Sequence, residues 1–166
     1  MPCYLYRCRA CRYPCSRHRA RGSCMSYFNN FERLFMQRSL ELVDTYQGEY
    51  ESTQLLNGLI GLLFFPNERM PDLIPEKSLQ DIEAWGFSQD CIINAGANKK
   101  PQEINLREII KRLRNSVAHC RVEPFPNDHR PCEGFFFADR NGFEAKIPTD
   151  QIKNLMRKLL THLLEK

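Results

Sequence analysis

No stretch of this 166-residue sequence approaches the roughly 20 consecutive apolar residues that a membrane span requires. The longest candidate, Leu59-Ile60-Gly61-Leu62-Leu63-Phe64-Phe65, ends at Pro66. The first residues also lack the apolar core of about 7 to 15 residues that a secretory leader needs. A soluble, cytoplasmic protein with no membrane contact is the expectation. Internal repeats and low-complexity tracts are absent from the body of the chain, and so is any carboxylate cluster that would suggest a bound metal. No cofactor is therefore expected.

A general surplus of positive charge is missing too, although the formal net charge is +4. Residues 1 to 24 hold six arginines and no Asp or Glu, so the remainder carries 18 basic and 20 acidic residues. Such a body offers no broadly basic nucleic-acid surface, and any phosphate-binding region has to be local.

What the sequence does have, at its start, is cysteine. Cys3, Cys8, Cys11, Cys15 and Cys24, with His18 among them, fall in the arginine-rich tract. Cys8-x-x-Cys11 with Cys15, His18 or Cys24 can be read as a tetrahedral zinc shell, but the spacing matches no defensible zinc module. An organellar targeting peptide is a second reading, opposed by the cysteines and by the lack of apolar periodicity. The plainest reading is an extension upstream of a true start at Met25, because hydrophobic periodicity begins just after it. The domain expected is 25–166, with 1–24 as an extension that is disordered or wrongly assigned. At this length a core is large enough to be stable without disulfides or metal.

From Tyr27 to about Gln47, Phe28, Phe31, Phe35, Leu42 and Tyr46 recur at helical spacing, with Leu34 and Val43 beside them. A second helix, from about Tyr50 to Phe65, is nearly apolar all round in its later half and belongs in the middle of a bundle. Gly58 and Gly61 each cost it roughly 1 kcal/mol relative to Ala, which a close backbone crossing would explain. Pro66 is expected to stop it. Ser78 and Asp81 form a capping box for a short helix carrying Leu79, Ile82 and Trp85. After a polar loop over Asn94 to Gln102, Asn105 caps a helix from Leu106 to His119, with Glu108 reaching back. Phe135 to Ala138 and Phe143 to Ile147, joined through Asn141-Gly142, alternate as a β-hairpin. Thr149 is expected to cap a last helix bearing Ile152, Leu155, Met156, Leu159, Leu160 and Leu163.

One segment carries chemistry. A helix advances about 100° per residue, so Asn115 and His119, four apart, lie within about 40° and can hydrogen-bond. Arg114 lies about 140° from His119, so one regular helix does not converge the two on one small group. Either the helix distorts at its end or two copies face each other across a dimer axis. The run Leu113-Arg114-Asn115-Ser116-Val117-Ala118-His119-Cys120, an Arg-polar-x-x-x-His pattern at a helix end, resembles the signature of HEPN domains. The context, Thr53-Gln54-Leu55-Leu56-Asn57 leading into Gly61-Leu62-Leu63-Phe64-Phe65-Pro66 and a hairpin plus helix after the motif, is similar to a prokaryotic HEPN subgroup, and the likeness covers about residues 27 to 164. Cys120 stands where relatives often carry glycine.

The resemblance implies an all-α fold, a HEPN-like bundle of four to five helices with a small β-hairpin insertion before the last helix. It implies a homodimer and, in many members, a metal-independent endoribonuclease acting on RNA, often as a toxin or in defence, with an antitoxin or nucleotidyltransferase-like partner. In that reading Arg114, Asn115 and His119 are the catalytic residues. His119 moves the proton of the attacking 2′-hydroxyl or of the leaving oxygen, Arg114 holds the scissile phosphate, and Asn115 orients the imidazole or binds a phosphate oxygen. Arg107, Lys111, Arg112 and Arg121 can extend the phosphate surface. The competing readings are a solvated helix end, with His119 at the negative pole of the helix dipole, and a non-catalytic HEPN module that binds a nucleotide or a protein. Cys91, Cys120 and Cys132 read as reduced cysteines.

Overall fold

The computed structural model describes residues 31–96, 99–126, 128 and 132–165; the cysteine-rich tract and its zinc, targeting and start-site readings lie outside them, as do Tyr27 and Phe28. Helix α1 (Phe31–Thr45) buries a face through Met36 and Val43, with Leu40 packed beside them. Val43, expected beside the stripe, is on this face, whereas Leu42, expected within it, is 58% exposed. Phe31 and Phe35 still turn inward, packing edge-on and tilted, respectively, against Phe65 at centroid distances of 5.6 and 4.9 Å.

The second rod does not stop at Pro66. Helix α2 (Glu51–Leu59) passes into a π-helical segment (Ile60–Phe64) and on into α3 (Phe65–Arg69). Every junction residue keeps right-handed helical dihedrals. Proline breaks a helix when its missing N–H and its ring oppose an established ladder; here the wide turn resets the register, and Pro66 falls in the first turn of α3, where no donor is required. The expected close crossing is present. A Cβ on Gly58 would lie 2.3 Å from Val43 Cγ2, and one on Gly61 would lie 2.5 Å from Ser39 Oγ, both on α1.

Short helix α4 (Leu79–Glu83) starts with the reciprocal Ser78–Asp81 capping box. The Ser78 hydroxyl and then the Ser78 amide donate to Asp81 Oδ2, at 2.8 and 3.1 Å, and lower the Asp81 carboxyl below its usual range. Helix α5 (Leu106–Ala118) is capped by Asn105, whose Oδ1 accepts from the Glu108 amide at 2.9 Å. Glu108 does not reach back; its carboxylate takes Lys99 Nζ at 2.6 Å. Helix α6 (Thr149–Leu164) buries all six residues predicted for its apolar face. Its cap differs: Pro148 is the N-cap, and Thr149 instead donates both N–H and hydroxyl to the carbonyl of Glu133, at 2.9 and 3.1 Å.

The all-α expectation with a hairpin insertion needs correcting. The chain is mainly helical, but the hairpin is the centre of a four-stranded antiparallel sheet, β1 (Ile92–Ala95), β2 (Val122–Phe125), β3 (Gly134–Ala138) and β4 (Phe143–Pro148), in the order β1-β4-β3-β2. The hairpin register pairs Phe137 with Ala145 and Phe135 with Ile147, and these four side chains form the buried face. Gly142, at φ +77°, supplies the left-handed residue of the Asn-Gly turn. Both added strands defeat pattern reading. The pairing of β1 shifts between Ile92 and Asn94, which breaks its alternation and consumes the start of the supposed polar loop. Strand β2 contains Pro124, tolerated because the strand is at an edge. Helix α5 packs between the π segment on one side and β3 on the other.

Candidate functional site

Everything in the site hangs from α5, which is anchored at three levels. Near its start, Arg107 donates Nε and Nη2 to the carbonyl of Ile74 at 3.1 and 2.9 Å, and Nη1 to Glu76 at 2.7 Å. At mid-helix Arg112 Nη1 meets Asp139 Oδ2 at 3.0 Å, with side chains only 13% and 2% exposed. The other oxygen of Asp139 accepts from the amides of Asn141 and Phe143, so this carboxylate both builds the hairpin turn and ties it to the helix. Arg107 and Arg112 are therefore spent on structure, and of the cationic run only Lys111 and Arg121 are left on an open surface.

The third anchor is the C-terminal end. His119 is the C-cap, with φ −103° and ψ 13°. Cys120 follows at φ +53°, the left-handed value that glycine normally supplies after a helix. The Cys120 amide donates to the carbonyl of Val117 at 3.1 Å and the Arg121 amide to that of Ser116 at 2.8 Å, which together make a Schellman closure. The carbonyl of Arg121 then accepts from the Ala138 amide at 3.1 Å, leading straight into β2 beside β3. His119 is thus fixed at its backbone from both sides. Its imidazole is exposed and has no hydrogen-bond partner among the described residues.

Arg114, by contrast, is held at its side chain. The guanidinium lies over the Phe64 ring, with Cζ 5.2 Å from the centroid, a cation–π geometry. Nη1 donates to Asn115 Oδ1 at 3.0 Å, and Nη2 is paired with the carboxylate of Glu68. Nε is buried and has no hydrogen-bond partner among the described residues. Phe64 and Glu68 are one turn apart, flanking Pro66. Sequence reading counted Phe64 only as part of the apolar rod and passed over Glu68, because a rod that ended at Pro66 would have left Glu68 in a loop. Their spacing of four was the available signal.

The structure keeps Arg114, Asn115 and His119 on one helix end but does not bring them together. The Asn115 side chain serves Arg114 rather than the imidazole; its backbone carbonyl accepts the His119 amide at 3.1 Å. The helix stays regular through Ala118, so distortion does not close the angle of about 140° between Arg114 and His119. Among the described residues no group of three or more His, Cys, Asp or Glu could hold a metal ion, and no helix is long and apolar enough to cross a membrane. Cys91, Cys120 and Cys132 are free thiols. Burial, with Asp90 nearby, pushes the Cys91 thiol up from its usual range, and its Sγ lies 3.3 Å from Gln151 Oε1.

A mainly helical domain whose central helix ends in Arg-Asn-x-x-x-His defines the class as a HEPN domain. The family model described as HEPN pEK499 p136 matches residues 25–166, and the chain belongs to that family. The family suggests a ribonuclease or nucleotide-binding module, and HEPN domains often dimerise and bind RNA. Neither a curated protein nor a solved structure matches the chain.

Proposed function

We propose that this chain is a metal-independent endoribonuclease that works as a homodimer on single-stranded RNA, with toxin or defence activity as its setting and an antitoxin or nucleotidyltransferase-like protein as its natural partner. The observation that carries the reading is the pairing, on one helix end, of a guanidinium locked by three neighbours with an open imidazole. Arg114 binds a non-bridging oxygen of the scissile phosphodiester and stabilises charge as it builds there. His119 takes the proton of the 2′-hydroxyl as its oxygen attacks phosphorus, or gives one to the departing 5′-oxygen. The bond to the 5′-oxygen breaks as the new one forms, leaving a 2′,3′-cyclic phosphate. Unstacked loop nucleotides suit this chemistry, since their sugars can rotate into line.

Because Arg114 and His119 diverge on one helix, each site is assigned the arginine of one protomer and the histidine of the other. The test follows from that geometry. Arg114→Ala and His119→Ala should each lower cleavage of single-stranded RNA by at least about 100-fold with the fold intact. Co-refolding the two variants gives mixed dimers with one complete composite site, so about a quarter of the wild-type rate should return. If both variants cut as wild type does, the catalytic assignment is wrong; if mixing restores nothing, the shared site is wrong. A purified protein that binds RNA or a nucleotide without cutting would favour the non-catalytic module. That second reading is supported by Glu68, which already occupies Arg114, and by the absence of a net basic body.

A further inference from the structure

We infer that Glu68 is an internal stand-in for phosphate, a carboxylate that holds the RNA-binding position of Arg114 until a phosphodiester displaces it. The inference rests on the reading of Arg114 as the phosphate-binding residue and adds a determinant of affinity to that site.

Three features of the guanidinium lead there. First, its attachments are unequal. Phe64 covers a face of the planar group and leaves the fork of donors free, while Asn115 uses one hydrogen of Nη1. Glu68 alone contributes an anion, and it binds at Nη2 in the way one oxygen of a phosphodiester would bind. A carboxylate and a phosphodiester each carry one negative charge and present oxygen acceptors to an arginine fork, so they are interchangeable in kind. Secondly, the two partners differ in mobility. The Arg114 side chain is 27% exposed, whereas that of Glu68 is 50% exposed and sits on the short helix α3, facing water. The carboxylate can swing away, while the guanidinium stays seated on Phe64 and Asn115. Thirdly, Nε is buried without a partner among the described residues, so the carboxylate does not make the two-pronged bond that would be hardest to displace.

The energetics fit a competitor better than a structural strut. A half-open ion pair of this kind is too weak to be needed for stability and strong enough to lower binding several-fold. Its removal leaves a permanently charged group on a rigid seat with no anion to satisfy it.

The test is binding of a short single-stranded 2′-O-methyl RNA, uncleavable because the attacking hydroxyl is blocked, to the full-length protein and to Glu68→Gln, with Glu68→Ala as a second neutral variant. Thermal melts report that both are folded. Both variants should bind about two- to fivefold more tightly at low salt. The same substitutions in an Arg114→Ala background should change nothing. Unchanged or weaker binding in Glu68→Gln overturns the inference, as does equal tightening without Arg114, which would mean general relief of repulsion. If Arg114→Ala itself binds RNA as well as wild type, the failure lies in the underlying reading of Arg114.

Discussion

Replacing Cys120 by glycine should stabilise this protein, which is an unusual direction for a substitution beside a candidate active-site residue. Cys120 sits at φ +53° immediately after His119. An L-residue in the left-handed region carries roughly 1–2 kcal/mol of strain from its Cβ. Glycine has no such strain but gives up about 0.5–1 kcal/mol through the greater freedom of its unfolded chain. The side chain of Cys120 is exposed and has no hydrogen-bond partner among the described residues, so truncation removes little else. The difference lies between about 0 and 1.5 kcal/mol and centres near 0.7 kcal/mol in favour of glycine, which for a domain of this size raises Tm by roughly 1–3 °C. Cys120→Val provides the opposite arm, since a β-branched residue is a true outlier at positive φ and should lower Tm. Differential scanning fluorimetry of the three proteins under reducing conditions reads both shifts. A glycine variant that melts below wild type, or a valine variant that melts with it, would show that the turn after His119 is not left-handed.

Two further substitutions probe the supports of the site. Gly58→Ala would gain about 1 kcal/mol of helix propensity in an open helix. Here the new Cβ meets Val43 Cγ2 at 2.3 Å, so a net loss of about 1–3 kcal/mol is expected in chemical denaturation, with partial recovery when Val43→Ala is added. Arg112→Ala strands the carboxylate of Asp139, which is 2% exposed, and should cost about 3 kcal/mol; a loss below about 0.5 kcal/mol would mean that the two backbone amides satisfy Asp139 without it.

The long helices were legible in the sequence because each runs far enough to show its period. All six apolar positions predicted for the last helix are buried, and Asn105 and Ser78 were recognisable as caps from their residue type alone. The misreadings have local causes. Pro66 carries a rule about α-helical ladders that does not hold once a π turn precedes it. Edge strands of four residues, one irregular in pairing and one containing proline, carry too little alternation to register. Within the site, Arg114, Asn115 and His119 could be picked out from spacing, but not their environment. Phe64 and Glu68 are some 50 positions away and reach Arg114 through tertiary packing that local pattern does not encode. For the same reason the arginines looked alike as a run, although Arg107 and Arg112 answer to a carbonyl and a buried carboxylate.

The wide turn at Ile60–Phe64 works as a phase adjustment. Upstream of it the rod is keyed to α1 through Gly58; downstream it presents Phe64 and Glu68 to Arg114. Wound as a plain α-helix with the same number of residues, the segment would turn everything beyond it by roughly 90° more about the axis. The guanidinium would then lose both its aromatic seat and its carboxylate, so the wide winding of Ile60–Phe64 sets the angle at which the two halves of this rod address their neighbours.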